Sequence, residues 1–385
     1  MFDVIIVGAG PSGSTVSYLL AKEGLRVALV EKFKLPRFKA CGGGLTLKTV
    51  SLLRDLDLYS KDVILSTCSV LKVFYKGDYL FDVENANIFI TRRDFFDYHL
   101  ANRAVEEGAR LIEGTSVTGI KETSSGVKVF TGKNVTLPAR VVVGADGVYS
   151  IVARSLGKRW RREDLSISAM SLLSLEDFGG NACGLYFGVV DYGYGWAFPV
   201  ESSGCLFNVG CGTPLKYSKS LLRAFRRFTR YLGASQHDVY VHLLPTPPKF
   251  RRGSFGRGRI LLVGDAAGLV DPWLGEGIYY AVKSAFHASR AVLDNLDEGT
   301  VIGAYQQLLE EDILPDLKYA YIFRRIFYSK MPEILGLIGR FNRLRRAFTK
   351  LLNGELRYRD LAKYLSPRWR NLLHLKDGLK FQALL

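Results

Sequence analysis

A glycine-rich turn near the start of the chain, Gly8-Ala9-Gly10-Pro11-Ser12-Gly13, has the spacing that binds the pyrophosphate of a dinucleotide. Gly8 allows the tight turn, Gly10 lets the backbone approach the phosphates, and Gly13 lets helix and strand pack closely. Amides at the start of the following helix then face the phosphates. Glu31 follows about 20 residues later, where its carboxylate can accept hydrogen bonds from a ribose diol. The pattern indicates a dinucleotide site and, by itself, leaves FAD and NAD as alternatives.

A second glycine run, Cys41-Gly42-Gly43-Gly44, follows a basic segment that contains Arg37 and Lys39. Three consecutive glycines are costly inside a helix or a strand, so the run predicts a loop. A flexible connector is one interpretation. The cysteine directly before the glycines favours the other, in which the loop faces a cofactor and the basic side chains reach a phosphate. Lys32, which directly follows Glu31, is assigned to the same site.

Two later apolar strands also end in an acid. Residues 140–143 lead into Gly144-Ala145-Asp146-Gly147, and residues 258–263 lead into Gly264-Asp265. Ligands of open α/β sheets bind at the carboxyl ends of the strands, where these acids lie. The segment Pro272-Trp273-Leu274-Gly275-Glu276-Gly277-Ile278 then precedes a long apolar helix. The positive end of that helix favours the negative charge of a reduced flavin above the sheet.

An alternating aromatic segment, Tyr194-Gly195-Trp196-Ala197-Phe198-Pro199, lies in a stretch dominated by strand-like alternation. Tyr194, Trp196 and Phe198 share one face of a strand, because side chains alternate with a period of two. The face is either packed against other aromatic residues in a sheet or forms an apolar wall beside the reacting group. The spacing alone favours neither interpretation.

The elements that position these residues predict the α/β fold class. The chain begins with a strand, a helix and a second strand between Asp3 and Glu31, which is a Rossmann-type unit. A composition shift at 165–244 toward alternating, aromatic-rich strands indicates a separate antiparallel-sheet domain that carries the substrate site. Helices are predicted at 46–58, 93–107, 218–232 and 279–293, a hairpin at 70–83, and antiparallel strands at 117–121, 127–131 and 135–137.

Three regions follow from this pattern. The Rossmann-type domain is discontinuous, the substrate domain is inserted in two pieces, and a basic helical region ends the chain. The predicted bounds are 1–65, 90–160 and 255–305 for the Rossmann-type domain, 66–89 and 161–254 for the substrate domain, and 306–385 for the C-terminal region.

The composition describes a globular protein of 385 residues with a hydrophobic fraction of 48% and a net charge of +16. This length permits two or three domains. No apolar run is long enough to span a bilayer and no secretion signal precedes the glycine turn, so we expect a cytoplasmic protein. Five scattered cysteines suggest neither a disulfide framework nor a metal site. No nucleic-acid-binding motif accompanies the positive charge, so nucleic acid is not an expected partner.

Most of the positive charge lies in residues 316–385, which hold sixteen Lys or Arg and five Asp or Glu. Apolar residues recur at helical spacing from Ile334 to Leu351, with Arg340 and Arg343 among the basic residues between them. An amphipathic helix that caps the other domains explains this pattern. Peripheral contact with the anionic inner face of a membrane explains it equally, at about 1 kcal/mol per basic side chain.

In order and over about residues 1–310, these motifs resemble the geranylgeranyl reductase family of FAD enzymes, which includes the digeranylgeranylglycerophospholipid reductases and has a p-hydroxybenzoate hydroxylase-like fold. The resemblance implies a Rossmann-type FAD-binding domain, because a second acid-ended strand far along the chain distinguishes FAD from a simple NAD site. It also implies that Arg93 lies near the FAD phosphates or ribityl chain. The predicted cofactor-binding residues are Gly8, Gly10, Pro11, Ser12, Gly13, Glu31, Lys32, Arg37, Cys41, Gly42, Gly43, Gly44, Arg93, Asp146, Gly147, Gly264, Asp265, Pro272, Gly275, Glu276, Gly277 and Ile278.

Two motifs of this resemblance concern the substrate. The Cys-Gly-Gly run looks like the family's loop over the isoalloxazine, and the aromatic segment looks like its Y-x-W-x-F-P motif, which lines the prenyl cavity. The resemblance therefore implies a substrate cavity formed by Tyr194, Trp196, Phe198 and Pro199. It implies Cys41, Gly42, Tyr194 and Trp196 as the catalytic residues, and no metal.

The implied function is reduction of isolated C=C double bonds in geranylgeranyl chains, carried by a diphosphate or a glycerophospholipid. Hydride from flavin N5 then needs a proton delivered to the neighbouring carbon, for which Cys41 is the candidate donor. An external donor, either ferredoxin-type or a reduced nicotinamide, must reduce the FAD. The alternatives are a monooxygenase or halogenase on the same scaffold, the latter needing a lysine between flavin and substrate, and a non-catalytic flavin-bearing lipid-binding or partner-binding protein.

Overall fold

The computed structural model describes residues 1–175, 182–201, 205–234, 238–247, 255–296 and 301–364. These residues form two sheets and the helices around them. The strands are β1 (Phe2–Val7), β2 (Val27–Val30), β3 (Gly44–Leu45), β4 (Ser66–Tyr75), β5 (Asp78–Ile90), β6 (Arg110–Ile112), β7 (Val117–Thr123), β8 (Gly126–Thr131), β9 (Thr136–Gly144), β10 (Leu165–Ser174), β11 (Ala182–Phe187), β12 (Tyr194–Pro199), β13 (Leu206–Pro214), β14 (Tyr240–Pro245), β15 (Gly256–Arg257) and β16 (Ile260–Leu262). The helices are α1 (Pro11–Lys22), α2 (Leu47–Asp55), α3 (Arg93–Glu106), α4 (Ile151–Ser155), α5 (Leu221–Tyr231), α6 (Gly264–Ala267), α7 (Ile278–Asn295), α8 (Val301–Asp312), α9 (Leu314–Ser329), α10 (Met331–Arg340), α11 (Asn342–Leu352) and α12 (Tyr358–Tyr364).

The first sheet has the strand order β15-β16-β9-β1-β2-β6, and its five strands from β16 to β6 run parallel. Val4, Ile5 and Ile6 of β1 are completely buried, as expected for a central parallel strand covered on both faces. Because the carboxyl ends of parallel strands share one edge, the turns after β1, β2, β9 and β16 meet there. This topology confirms the predicted α/β fold class.

Strand β9 combines two segments that the sequence analysis treats as separate strands. Its first half pairs antiparallel with β8, and its second half, from Ala139, pairs parallel with β1. The division between the predicted strand at 135–137 and the one at 140–143 is therefore wrong. Pro138 lies between them and is exposed, on a part of β9 that pairs with β8 alone, which is an edge position where proline is tolerated.

The second sheet has the order β14-β10-β13-β12-β11-β4-β5-β3 and is antiparallel except for the pair β11–β4. Helix α5 packs on one face, where Phe225 and Phe228 are buried in a cluster with Tyr186. Strand β3 directly follows the Cys-Gly-Gly run and belongs to this sheet, although the sequence analysis includes it in the FAD-binding segment 1–65. The glycine run therefore connects the two sheets.

The C-terminal helices cover the other face of the second sheet. Leu185 and Phe187 of β11 are buried in a cluster with Phe327 of α9 and Phe348 of α11, whereas Tyr186 between them faces α5. The alternation of β11 side chains places these clusters on opposite faces. The helices from α9 onward therefore pack directly on the second sheet.

The apolar residues at helical spacing from Ile334 to Leu351 form two helices, α10 and α11, rather than one. Phe341 separates them with an extended backbone, at φ −119° and ψ 111°. Arg340, Arg343 and Lys350 are exposed, while the apolar side chains turn toward the sheet. Within the described residues, no helix combines the length and hydropathy needed to cross a membrane.

Candidate active site

A cavity of about 870 Å³ is lined by the strand ends of the first sheet, by the second sheet and by the C-terminal helices. Gly8 and Glu31 line it from the first sheet, Trp196 lines it from β12, and Phe348 and Leu352 line it from α11. The three predicted regions of the chain thus meet around one space. Nearly all of the predicted site residues lie along this space.

The glycine turn between β1 and α1 is shaped by close backbone contacts. Gly8 has a positive φ of 102°, and a Cβ at this position would lie 2.6 Å from the main-chain oxygen of Ala145. A Cβ on Gly13 would lie 1.8 Å from the oxygen of Gly8. Gly10 differs, because only Arg93 Nη2, at 3.8 Å, lies near its notional Cβ. Two glycines are therefore required by packing, whereas Gly10 leaves space open at the cavity, next to the helix start at Pro11.

Glu31 is held rigidly at the end of β2. Its side chain accepts the amide hydrogens of Ala9 and Phe33 at 2.8 and 3.1 Å, and Arg37 Nε lies 3.7 Å from its carboxylate. The carboxylate is buried yet still lines the cavity. Lys32 lines it too, with Nζ over the Phe33 ring at 4.9 Å.

Arg93, at the start of α3, forms a buried two-pronged ion pair. Its Nε and Nη2 donate to the two oxygens of Asp97, each at 2.7 Å, and Arg37 Nη1 donates to the same carboxylate at 2.9 Å. Burial opposes ionisation of Asp97, but Arg93 and then Arg37 outweigh it and lower its pKa. Arg93 and Arg37 are therefore fixed beside the glycine turn by an acid that the sequence analysis did not select.

Asp146 behaves differently from the prediction that its carboxylate faces a ligand. Its oxygens accept hydrogen bonds from Ser150 Oγ and from the amides of Ile151 and Val152, at 2.5, 2.7 and 3.3 Å. The carboxylate thus caps α4, and burial raises its pKa. Asp146 and Gly147 still line the cavity.

Asp265 is the acid that remains available at this edge. It lines the cavity, and its carboxylate forms no hydrogen bond or ion pair with any residue that the structure describes. Gly264 lies behind it, where its amide donates to Ser284 Oγ at 3.0 Å, and is not among the cavity-lining residues described. The strand end of β16 therefore presents a free carboxylate, and that of β9 does not.

The segment before α7 also lines the cavity, through Pro272, Gly275, Glu276, Gly277 and Ile278. The carboxylate of Glu276 is engaged by α2 and the residue before it. Oε1 accepts from the hydroxyls of Thr46 and Thr49 at 2.5 and 3.1 Å, and Oε2 pairs with Lys48 Nζ at 2.6 Å. Glu276 thus fixes this segment against α2, and α7 begins at the cavity.

The Cys-Gly-Gly run is attached to the aromatic strand through a residue that the sequence analysis missed. Asn208 of β13 accepts the indole N–H of Trp196 at 2.9 Å and donates to the main-chain oxygen of Cys41 at 2.7 Å. The Cys41 sulfur is half-buried and accepts the amide of Gly43 at 3.5 Å. A Cβ on Gly42 would lie 3.3 Å from Trp196 Nε1. The loop therefore lies directly against the tryptophan.

The aromatic side chains of β12 do form a wall of the cavity. Tyr194, Trp196 and Phe198 line it, with ring centroids 6.3 and 6.5 Å apart in succession. The Tyr194 hydroxyl donates to the main-chain oxygen of Leu274, and burial raises its pKa. Pro199 does not line the cavity among the residues described. It ends β12 behind the wall and accepts a hydrogen bond from Ser66 Oγ.

Comparisons with known proteins agree with this architecture. A family model described as an FAD binding domain matches residues 1–179. An uncharacterized protein of Methanosarcina barkeri is 31% identical over 347 residues, which cover 88% of this chain and 86% of the relative. The chloroplastic geranylgeranyl diphosphate reductase of Arabidopsis thaliana is 28% identical, over 91% of this chain and 77% of its own length. The chain belongs to the geranylgeranyl reductase family.

Solved structures with the fold of this geranylgeranyl reductase family member include a geranylgeranyl bacteriochlorophyll reductase-like protein of Thermoplasma acidophilum. It gives a TM-score of 0.82 at 20% identity and covers 100% of this chain and 99% of its own. A flavin-dependent brominase gives 0.75 at 21% identity and covers 98% and 99%. At these identities the two structures show the fold alone. The family places the protein among FAD-dependent oxidoreductases, which confirms the predicted cofactor and enzyme class.

The residues of this geranylgeranyl reductase family member fit FAD. The space in front of Gly10 and the unpaired carboxylate of Asp265 both face the cavity, as a dinucleotide site requires. The amides that begin α1 and α7 lie at the same edge and favour anionic groups. The glycine turn, Glu31 and Arg93 would hold the ADP half, and Asp265 with the start of α7 would hold the flavin half.

Three residues at this site escaped prediction. Asp97 follows Arg93 by four positions on α3, so helical spacing was a signal for their ion pair. Asn208 is a buried amide between the apolar residues Phe207 and Val209 of β13, and a buried polar side chain needs partners. Lys48 gave no local signal, because its partner Glu276 is far away in the sequence.

Proposed function

We propose that this protein is an FAD-dependent reductase that saturates C=C double bonds of geranylgeranyl chains in prenyl lipids or prenyl diphosphates. The supporting observation is the apolar character of the cavity beyond the Cys-Gly-Gly run. In the described part of the chain, the wall of this region comes from the second sheet, the segment before α7 and the C-terminal helices. Its apolar and aromatic residues include Leu71, Ile88, Leu185, Tyr194, Trp196, Phe198, Trp273, Leu274, Phe348 and Leu352. A long hydrocarbon chain is the ligand that such a wall accommodates without unpaired polar groups.

Saturation of one double bond adds two electrons and two protons. Bound and reduced FAD supplies the electron pair. The chain's own residues hold the alkene and exclude water: the Trp196 ring lies against the loop, and Asn208 fixes both. An external donor, a ferredoxin-type protein or a reduced nicotinamide, returns the electrons to FAD in this proposal.

Cys41 is the proposed proton donor to the carbon chain. Its thiol is half-buried at the cavity, next to the wall formed by Trp196. We expect Cys41→Ala to lower the turnover number at unchanged FAD content, with Cys205→Ala, at an exposed position, as the matched control. Full turnover of Cys41→Ala would remove this residue from the mechanism and leave the reductase proposal intact.

The brominase-like fold raises the alternative of a halogenase. That function needs a lysine between the flavin and the substrate. Among the described residues, the lysines that line the cavity are Lys32 and Lys39. Burial and then Arg93 lower the pKa of Lys39, and Asp265, Asp97 and Cys41 oppose this shift. Arg93, Asp265 and Asp97 belong to the FAD-binding part of the cavity, and Cys41 lies on the loop between that part and the aromatic wall. Most of the charged groups around Lys39 thus lie on the FAD-binding side, which supports the reductase.

The test is product analysis after a single turnover. The purified FAD-loaded protein is reduced without oxygen, mixed with a geranylgeranyl lipid or diphosphate, and the product is analysed by mass spectrometry. We expect a gain of H2 at one or more double bonds. Incorporation of oxygen, or of halide when air and halide are supplied, would assign the monooxygenase or halogenase function. No change in any prenyl substrate would leave lipid binding alone.

We further propose that the protein is cytoplasmic and contacts anionic membranes from outside the bilayer. The exposed basic residues Arg340, Arg343, Arg346 and Lys350 on α10 and α11 support this, because each adds about 1 kcal/mol at such a surface. Sedimentation with vesicles that contain anionic lipid is the test. Equal sedimentation with neutral vesicles, or none with either, would contradict the proposal.

A further inference from the structure

One end of the cavity carries a buried guanidinium without a partner. Arg324 of α9 lines the cavity and is only 9% exposed. It forms no hydrogen bond or ion pair with any residue in the described part of the chain. Buried charges in proteins are otherwise paired, because an isolated charge is costly to remove from water. The wall of the apolar cavity thus contains a buried positive charge that no described residue pairs with.

Among the residues that the structure describes, none forms an ion pair with Arg324. Burial lowers its pKa, and the groups that oppose this shift are Tyr328, Tyr321, Asp271 and Tyr217. The single carboxylate among them, Asp271, makes no ion pair with Arg324. Its oxygens accept hydrogen bonds from the amides of Trp273 and Leu274 and from the Tyr358 hydroxyl at 2.6 Å. The described residues therefore leave the charge of Arg324 uncompensated, and an anionic ligand in the cavity would compensate it.

A second unpaired polar group lies beside the guanidinium. Tyr328 follows Arg324 by one helical turn, so both side chains lie on one face of α9. Tyr328 lines the cavity, and its hydroxyl oxygen is buried and has no hydrogen-bond partner within the described residues. A hydroxyl that can donate and a guanidinium together form a pair of donors suited to phosphate oxygens.

These donors lie away from the Cys-Gly-Gly run. The ring of Tyr194 is 6.3 Å from that of Trp196, on which the run packs, and burial and then Tyr328 raise the pKa of Tyr194. The ring of Tyr328 is in turn 5.7 Å from that of Tyr192, which also lines the cavity and is exposed to solvent. The order along the cavity is therefore the loop, Tyr194, and then the two donors.

We propose that Arg324 and Tyr328 bind the phosphate of the prenyl substrate, so that its chain extends from them along the aromatic wall toward the Cys-Gly-Gly run. The inference rests on the proposed function for the identity of the chain. A diphosphate and the phosphate of a glycerophospholipid present the same anionic oxygens to these donors. Arg325, the next residue of α9, is exposed and provides a matched control.

Binding to the oxidised FAD-loaded protein tests the site without turnover. Calorimetry compares geranylgeranyl diphosphate, a geranylgeranyl glycerophospholipid in detergent micelles and the uncharged geranylgeraniol. We expect Arg324→Gln to raise the dissociation constant of the natural phosphate-bearing substrate, which is either the diphosphate or the glycerophospholipid, by about tenfold or more. This is the range for loss of a charge-assisted hydrogen bond. Geranylgeraniol should bind the variant and the wild type equally, and Arg325→Gln should match the wild type throughout. The phosphate-bearing ligand that responds identifies the source.

Tyr328→Phe keeps the shape of the wall and removes one hydroxyl, so it tests the site even where Arg324→Gln fails to fold. We expect it to weaken the same phosphate-bearing ligand by several-fold and to leave geranylgeraniol unaffected. Equal weakening of charged and uncharged ligands, or no weakening, would overturn the phosphate site while the reductase proposal stands. Arg324-dependent binding without reduction of any prenyl chain would support the phosphate site and remove the reductase proposal.

Discussion

The side-chain amide of Asn208 donates a hydrogen bond of 2.7 Å to the main-chain oxygen of Cys41, 167 positions earlier in the sequence. Its oxygen accepts the buried indole N–H of Trp196. One amide thus fixes the loop that carries the proposed proton donor against the wall of the cavity. The Asn208 amide and the Trp196 indole N–H therefore both have hydrogen-bond partners inside the protein, where an unpaired donor or acceptor costs about 1–3 kcal/mol.

We expect Asn208→Ala to leave the FAD content unchanged and to lower the turnover number by about tenfold or more, because positioning errors near a reacting group have large effects on rate. Stopped-flow measurement of substrate reduction provides the rate. Asn102→Ala on α3 is the control, since Asn102 lies outside the cavity wall and makes no described hydrogen bond. A normal rate in Asn208→Ala would show that the loop needs no such attachment.

The glycine turn predicts two different outcomes for the same substitution. Gly10→Ala adds a methyl group toward open space, so we expect loss of FAD affinity with the unfolding free energy of the apoprotein nearly unchanged. Gly13→Ala places a methyl 1.8 Å from the oxygen of Gly8. It should therefore lower stability by about 1–3 kcal/mol and also reduce FAD binding.

Flavin fluorescence titration and denaturant unfolding of the apoproteins measure both effects. Gly303→Ala, an exposed position of α8 with no atom within 4 Å of the added methyl, should behave like the wild type or be slightly more stable. Normal FAD affinity in Gly10→Ala would contradict the placement of the pyrophosphate at this turn.

Removal of the Glu276 charge should lower the stability of the protein, because the buried ammonium of Lys48 loses its partner. Lys48 and Glu276 are paired at 2.6 Å with little exposure of either side chain. We expect Glu276→Gln alone to lower the unfolding free energy by about 3 kcal/mol, because an unpaired ammonium stays buried. The double variant Lys48→Met/Glu276→Gln should recover most of this loss, as measured by denaturant unfolding. The single variant Lys48→Met completes the comparison. If the loss in the double variant equalled the sum of the losses in the two single variants, the residues would not act as a pair.

Asp271 should make stability depend on pH. Burial raises its pKa from the ordinary 3.8 to about 6, so the folded protein binds this proton more tightly than the unfolded chain does. The resulting stability is fully present below about pH 4 and is lost as the pH rises through 6, by roughly 3 kcal/mol in total. Asp271→Asn cannot titrate and should lack this dependence.

Denaturant unfolding at several pH values between 4 and 7 measures the difference between the wild type and Asp271→Asn, in which the other titrating groups cancel. The exposed Asp55→Asn is the matched control and should run parallel to the wild type. A constant difference across this range would mean that Asp271 keeps its ordinary pKa.

The sequence was most informative where local chemistry determines structure. The first strand-helix-strand unit follows from glycine spacing and apolar runs, and α3 begins at Arg93 and ends within one residue of its prediction. Contacts between residues far apart in the sequence could not be predicted in this way. The acid pattern at Asp146 could not distinguish a ligand contact from a helix cap, since the capped amides follow in the same loop. Pairing of Asn208 with Cys41 depends on how the loop before β3 packs on β13, 167 positions later in the sequence, which no local pattern encodes.

The C-terminal helices have a consequence for how this enzyme family diversifies. The glycine turn and the acid-ended strands that surround the cofactor lie before Asn295, whereas Arg324, Tyr328, Phe348 and Leu352 of the cavity wall come from later helices. Changes confined to α9 and α11 can therefore remodel the far end of the chamber without altering the glycine turn or the acid-ended strands. Selection for a new substrate can act on the last part of the gene while the ancestral chemistry persists.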